Sequence, residues 1–250
     1  MSEDPLTRLE QLPEVSAAVG RARAAVDAAY QDRALRRSGG PAAAEVSLRV
    51  AVASAALEGS RYDLAEVRSG TVTDPVVQGA LRCAEALPGL VDRWRKTPRQ
   101  VLARLHVLAG RGLVDADELG RPSPGMGGEI TARLDTLVEL VIAPAAAGGG
   151  SGLLRAAVIH GELLTLRAFP GPNGLVARAA ARLELMASGF DPRGLVLAEV
   201  IHLEREPEYV GSAGAFATGT PDGVRSWLRH CARAAEEGAE QLLGLLEQWR

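Results

Sequence analysis

Apolar residues recur at three- and four-residue spacing along most of the chain, which is the spacing of one face of an α-helix. The first such run spans about residues 12–36 and carries Val15, Ala18, Val19, Ala22, Val26, Ala29 and Tyr30. Ser38-Gly39-Gly40-Pro41 breaks it. A second run extends from about Ala42 to Glu58, with Val46, Val50, Ala53 and Leu57 on one face and Gly59 as its stop. Asp63 reads as a helix start. Asp74-Pro75 reads as an N-cap followed by proline at the first helical position, and Thr97-Pro98 repeats that signal for a helix through about Ala109. Residues 111–128 are rich in Gly, Pro and Asp and read mostly as loop. Helical spacing returns over 129–147 (Ile130, Leu134, Leu137, Val141) and ends in Gly148-Gly149-Gly150, after which Ser151 caps a further helix. Beyond Ser188-Gly189 the pattern predicts a short helix over 192–201 and a polar one over about 204–216. Thr220-Pro221-Asp222 then opens a last helix carrying Val224, Trp227, Leu228, Cys231, Leu242, Leu245 and Trp249. No stretch alternates as a strand does. The expected fold class is all-α, with around ten helices, no internal repeat and no disordered domain.

Composition narrows the setting. At 250 residues the chain can bury a full core, as one large domain or as a core with a helical extension. A formal charge of −3 argues against bulk attraction to nucleic acid. Lys96 is the only lysine and alanine is abundant, a bias of the kind a GC-rich bacterial genome produces. Cys83 and Cys231 lack metal-ligand spacing and are expected to be reduced core thiols. The acidic start of the chain resembles no signal peptide, and no apolar run reaches the roughly 18–20 residues of a membrane span. The expectation is a cytoplasmic protein with neither a membrane nor a nucleic-acid partner.

The stretch with chemical content runs from Ile159 to Arg182. It reads as a helix ending near Leu166, a tight loop over residues 167–174, and a second helix. A Gly/Asn-rich loop running into a helix start points free backbone N–H groups into one small volume, which suits an anion.

The same stretch resembles the Fic (Fido) family signature, H-x-F-x-[DE]-G-N-G-R-x-x-R, which lies between two helices. Phe169, Asn173, Gly174 and Arg178 match it, and His160 and Leu166 sit where the preceding helix often has His and Ile. Arg167 stands at the position of the family's catalytic histidine, Gly171 replaces the acidic residue, Pro172 the first loop glycine and Leu175 the first arginine. Upstream, Ser54-Ala55-Ala56-Leu57-Glu58-Gly59 resembles the inhibitory motif [ST]-x-x-x-E-[GN] of class II members. The resemblance covers about residues 42–226, with an inhibitory helix over 42–59. Residues 1–41 would be an N-terminal helical extension, and 227–250 a C-terminal helix packed on the core. The family's β-hairpin flap falls on residues 115–127, where Gly120-Arg121-Pro122-Ser123-Pro124 holds too much proline for a regular ladder.

By this resemblance, active members transfer AMP from ATP to a protein hydroxyl or run a related phosphate-bond transfer. The histidine takes the hydroxyl proton, the carboxylate holds Mg²⁺, and the glycine loop and first arginine hold the phosphates. An arginine guanidinium has no lone pair to accept a proton, so Arg167 cannot supply general-base catalysis, a contribution of about 10²–10⁴ in rate. Gly171 offers no carboxylate to a cation that wants oxygen ligands. Pro172 deletes one loop N–H, and Leu175 removes a phosphate-neutralising charge. No catalytic residue is therefore assigned. Arg167, Asn173, Gly174 and Arg178 are expected to form a phosphate or carboxylate site, and Ser54, Glu58 and Gly59 the inhibitory element. The resemblance further implies a Glu58–Arg178 pair tying the N-terminal helix to the core. No metal site is expected; ATP or another nucleotide would be at most a weak ligand.

The resulting expectation is a degenerate Fic-family protein without AMPylation activity, a binding or regulatory pseudoenzyme with an unidentified protein partner and, as in other members, room for a homodimer. The alternative is an active Fic-type transferase with altered nucleotidyl or phosphoryl chemistry, in which Glu162 or His160 replaces the lost groups. A third reading is an antitoxin-like regulatory module. His106 and His160 read as core histidines; His202 and His230 have no acid or cysteine at ligand spacing.

Overall fold

Short polar signals set the helix ends. The computed structural model describes residues 5–37, 39–123, 127–143 and 151–248. Within them lie α1 (Pro5–Glu10), α2 (Val15–Gln31), α3 (Arg33–Arg37), α4 (Gly39–Leu57), α5 (Leu64–Arg68), α6 (Pro75–Trp94), α7 (Pro98–Gly110), α8 (Gly128–Ile142), α9 (Ser151–Leu166), α10 (Asn173–Ala187), α11 (Ala198–Glu204), α12 (Glu206–Ala217) and α13 (Pro221–Glu247). The starts predicted at Asp63, Asp74 and Thr220 hold. Asp74 accepts the amides of Val76 and Val77, Asp63 forms a reciprocal capping box with Glu66, and Thr220 Oγ1 accepts from Gly223 N. Among the described residues there is no strand, only a single bridge between Arg111 and Val114. The fold is all-α.

Four expectations are corrected. The helix predicted over 12–36 is two, because Asp32 Oδ1 accepts the amide of Ala34 at 2.7 Å and starts α3. Gly39, Gly40 and Pro41 do not interrupt the following helix but form its first turn, where the amide that proline lacks would be unpaired in any case. The helix predicted over 192–201 begins only at Ala198. Before it the chain is held irregular by Asp191, which accepts from Leu195 N and Val196 N at 2.9 Å, and by Arg182, which donates to the carbonyls of Gly194 and Val196. The described helices number thirteen rather than around ten, the added ones being short. Pro124, the end of the run at 144–147, the three glycines that follow it and Trp249 lie outside the described residues.

The apolar side chains gather in two clusters. One joins α1–α3, the first half of α4, α12 and α13; the other joins the second half of α4 with α6–α8. The helices α4, α9 and α10 contribute to both, which puts the α9–α10 hairpin at the seam of the molecule. Cys83 and Cys231 are buried free thiols, and burial pushes Cys83 up to about 12. No described helix is long and apolar enough to cross a membrane.

Candidate functional site: an anion position at the central helix hairpin

Helix α9 ends at Leu166, and Arg167 takes the left-handed conformation (φ 45°) that ends the helix and turns the chain. Glycine is usual there; a side chain at positive φ is strained. The Arg167 side chain is exposed and makes no hydrogen bond or ion pair with a described residue. The loop beyond it is braced from within. Asn173 Oδ1 accepts from Phe169 N (3.1 Å), while its Nδ2 donates to the carbonyls of Phe169 (2.6 Å) and Gly171 (3.2 Å). Phe169 is buried and stacks on His106 with ring centroids 4.7 Å apart. The Pro170 carbonyl can only accept, so His106 Nε2 carries the proton at 2.8 Å. His106 Nδ1 is then the acceptor for Gly120 N at 2.9 Å, a neutral tautomer consistent with burial lowering its pKa. Ser123 N donates to Ala168 O at 2.9 Å, a backbone bond that ties the segment after α7 to the loop.

Helix α10 begins at Asn173, whose own N–H is spent on the Gly171 carbonyl at 2.9 Å, and the next two amides, of Gly174 and Leu175, point out of the helix end. The Glu58 carboxylate lies against Gly174 so closely that any side chain there would collide with it. One turn further, Arg178 is 3 % exposed and uses its whole fork. Its Nη2 donates to Glu58 Oε1 (2.7 Å) and to the Ser54 carbonyl (2.9 Å), its Nε to Ser54 Oγ (2.7 Å) and its Nη1 to Tyr209 Oη (3.3 Å). Burial pulls the Arg178 pKa down, but Tyr209 and Glu58 outweigh it and the net direction is up. The charge is held. Gly59, at φ 97°, turns the chain directly after Glu58.

A chain of polar rings extends inward from Arg178. A guanidinium only donates, so the Tyr209 oxygen accepts from Arg178 and its own proton is available to His160 Nε2 at 3.0 Å. With His160 Nε2 as the acceptor the ring is neutral, in keeping with burial, then Arg178 and His230, which hold its pKa well below the usual imidazole range. The His202 ring stacks on Tyr209 at 4.7 Å, and its Nδ1 meets His230 Nε2 at 3.0 Å. Among the described residues no group of three His, Cys, Asp or Glu side chains is arranged to hold a metal.

The structure thus brings together Ser54, Glu58, Gly174 and Arg178 from positions more than a hundred residues apart. Asn173 adjoins them but spends its amide on the loop, and Arg167 takes no part in the network. Glu162 is paired with Arg133 at 2.8 Å. Sequence reasoning missed Tyr209, which carries no local signal in a polar helix, and the buried Glu184, which accepts from Trp94 Nε1 at 2.7 Å and Arg95 at 2.9 Å.

No protein-family model matches the chain, and no curated protein matches it either. Solved structures do. A Fic family protein from Desulfovibrio desulfuricans G20 superposes with a TM-score of 0.74 at 20 % identity, over 93 % of this chain and 75 % of that one. The Fic-1 fragment from C. elegans gives 0.73 at 21 % identity over 94 % and 72 %, and a single-substitution variant of it gives 0.71 at 22 % over 94 % and 75 %. The fold of this chain is the all-helical Fic-type fold, with the α9–α10 hairpin at its centre.

Proposed function

We propose that this protein is a degenerate Fic-type protein that does not transfer AMP and works by binding, as a regulatory partner of another protein. One observation carries the reading. From Arg167 to Arg182 the chain contains no acid and no histidine, while the Glu58 carboxylate, held on Arg178, lies against Gly174 at the start of α10. Phosphoryl chemistry at that loop needs a proton acceptor and, in the metal-assisted form, a carboxylate for the cation. The loop supplies neither. Its remaining donors, the α10 amides and Arg178, suit an anionic group, and a nucleotide phosphate would have to displace Glu58 to reach them. In this reading α4 is an inhibitory helix that has become a structural tie. A transferase with altered chemistry has less support, because Glu162 is engaged with Arg133 and His160 is buried behind Tyr209.

The test is a transfer assay with α-phosphate-labelled ATP and Mg²⁺, run on wild type and Glu58→Ala with a cell lysate as acceptor. No label is expected on any protein with either form. Label transferred by either one, and lost in Arg178→Ala, overturns the proposal. Calorimetric titration of ATP into both forms gives the accompanying binding result: at best millimolar for wild type, and about tenfold tighter once Glu58 is gone.

A further inference from the structure

A second anion position lies on another face, between α12 and the first half of α13. Arg225, Arg229 and Arg233 follow at four-residue spacing on α13, so their guanidinium groups share one stripe of the helix. With Ser226, His230, Asp222 and, from α12, Glu208, they line a cleft of about 250 Å³. Three guanidinium groups and two carboxylates line it, and a third carboxylate, that of Glu14, reaches Arg229 from outside the lining.

The arginines are loosely committed. Arg225 pairs with Asp222 at 3.1 Å, Arg229 with Glu14 at 2.6 Å and Arg233 with Glu208 at 3.0 Å. Asp222 and Glu14 are largely exposed, and such solvated pairs contribute little, so exchange for a doubly charged ligand is favourable. Glu208 has a second cation to turn to, Arg205 at 3.5 Å.

The floor of the cleft points to a ligand as well. The His230 side chain is 1 % exposed; its Nε2 is engaged by His202, yet its buried Nδ1 has no hydrogen-bond partner. Glu208 Oε1, the nearest acid atom, stands 3.5 Å away, beyond a good bond. A buried imidazole nitrogen without a partner is costly unless something else satisfies it.

We propose that this cleft is a binding site for a small phosphate-class dianion, either the free ion or the phosphoryl group of a small molecule. Arg229 and Arg233 take its oxygens, Ser226 donates from the side, and Glu208 turns to Arg205 to uncover His230 Nδ1–H as the donor beneath. That tautomer requires His202 Nδ1–H to donate to His230 Nε2, which the 3.0 Å contact permits. The site is separate from the Glu58–Arg178 pair and does not depend on the function proposed above.

The experiment is an imidazole-nitrogen NMR titration with inorganic phosphate at constant ionic strength, with glycerol phosphate as a second ligand. One imidazole, identified by its loss in His230→Gln, is expected to shift saturably, with a midpoint of about 1 mM or below. The Arg229→Ala/Arg233→Ala double variant changes only partly exposed side chains outside the core. It should weaken binding by about tenfold or more, since two charge-assisted bonds are lost. Arg21→Ala, which opens the exposed pair with Glu236, should leave binding unchanged. Should His230→Gln fail to fold, the double variant still decides the matter. Tighter binding of glycerol phosphate assigns the site to a phosphorylated small molecule, and binding of phosphate alone to the free ion. The absence of a saturable shift with either ligand, or binding unchanged in the double variant, overturns the proposal.

Discussion

Arg178 and Glu58 form one ion pair, yet the two residues are not equivalent. Arg178 is buried and satisfies Ser54, Tyr209 and Glu58 together, whereas Glu58 keeps about a fifth of its side chain in water. Removing the arginine strands several polar groups; removing the glutamate leaves a cation that still has two other partners. Arg178→Ala is therefore expected to cost about 3–5 kcal/mol and Glu58→Ala only about 1–2 kcal/mol. Urea denaturation of both variants checks this, and equal losses would contradict the account of the network. Arg167 bears on strain instead. Its left-handed backbone costs about 1 kcal/mol for a residue with a Cβ, so Arg167→Gly should be neutral to slightly stabilising, and Arg167→Val clearly destabilising. A thermal melt in which valine is tolerated as well as glycine would show that the loop relaxes out of this conformation.

Between helices, close approach is controlled by glycine. In α13, Gly238 lies against the backbone of Leu197, whose N–H reaches the Gly238 carbonyl at 3.3 Å, and an added Cβ would sit 2.8 Å from the Leu197 carbonyl carbon. Six residues on, Gly244 in the same helix has nothing within 4 Å of that position. The same substitution should then have opposite signs. Gly238→Ala is expected to destabilise by about 1–3 kcal/mol through overpacking, and Gly244→Ala to stabilise by about 0.5–1 kcal/mol through helix propensity. Chemical denaturation of the two variants makes the comparison; matching signs would mean that the crossing of α13 over residues 194–198 is not tightly packed. At this scale the sequence was most informative where a cap and a proline coincide, as at Asp74-Pro75, Thr97-Pro98 and Thr220-Pro221, because those signals act within one turn. It failed over 192–197, where helical spacing is overridden by bonds from Asp191 and from Arg182 one helix away.

For the whole molecule, the buried histidines predict how stability responds to acid. Burial, reinforced by neighbouring positive charge, holds His160 and His202 well below the ordinary imidazole pKa, and burial lowers His230 with Glu208 opposing it. An unfolded chain takes up protons at these sites near pH 6.5, whereas the folded chain does not. The unfolded state therefore binds more protons in that window, and stability rises with pH through it. Full stability is expected above about pH 6.5, with a loss approaching 2.7 kcal/mol per pH unit below it if His160 and His202 both stay neutral in the folded state. Denaturation curves at three pH values between about 5 and 7.5 measure the slope. A flat profile would mean that the folded protein protonates these rings, contrary to the effect of their burial.

Helical spacing, caps and glycine stops made the all-α class and most helix starts legible, because these depend on neighbours within a turn or two. The loop at 167–174 and the element at Ser54, Glu58 and Gly59 were legible as short motifs, and the absence of histidine and acid between Arg167 and Arg182 is a matter of residue type alone. Other features belong to tertiary structure. That Asn173 is spent on its own loop, that Tyr209 closes the Arg178 fork, and that three histidines from α9, α11 and α13 gather behind it follow from where separate helices cross. The cleft over His230 is set in the same way, by the position of α12 on α13. Burial decides whether such a polar atom meets water or needs a partner within the protein, and burial is settled only when distant segments pack together.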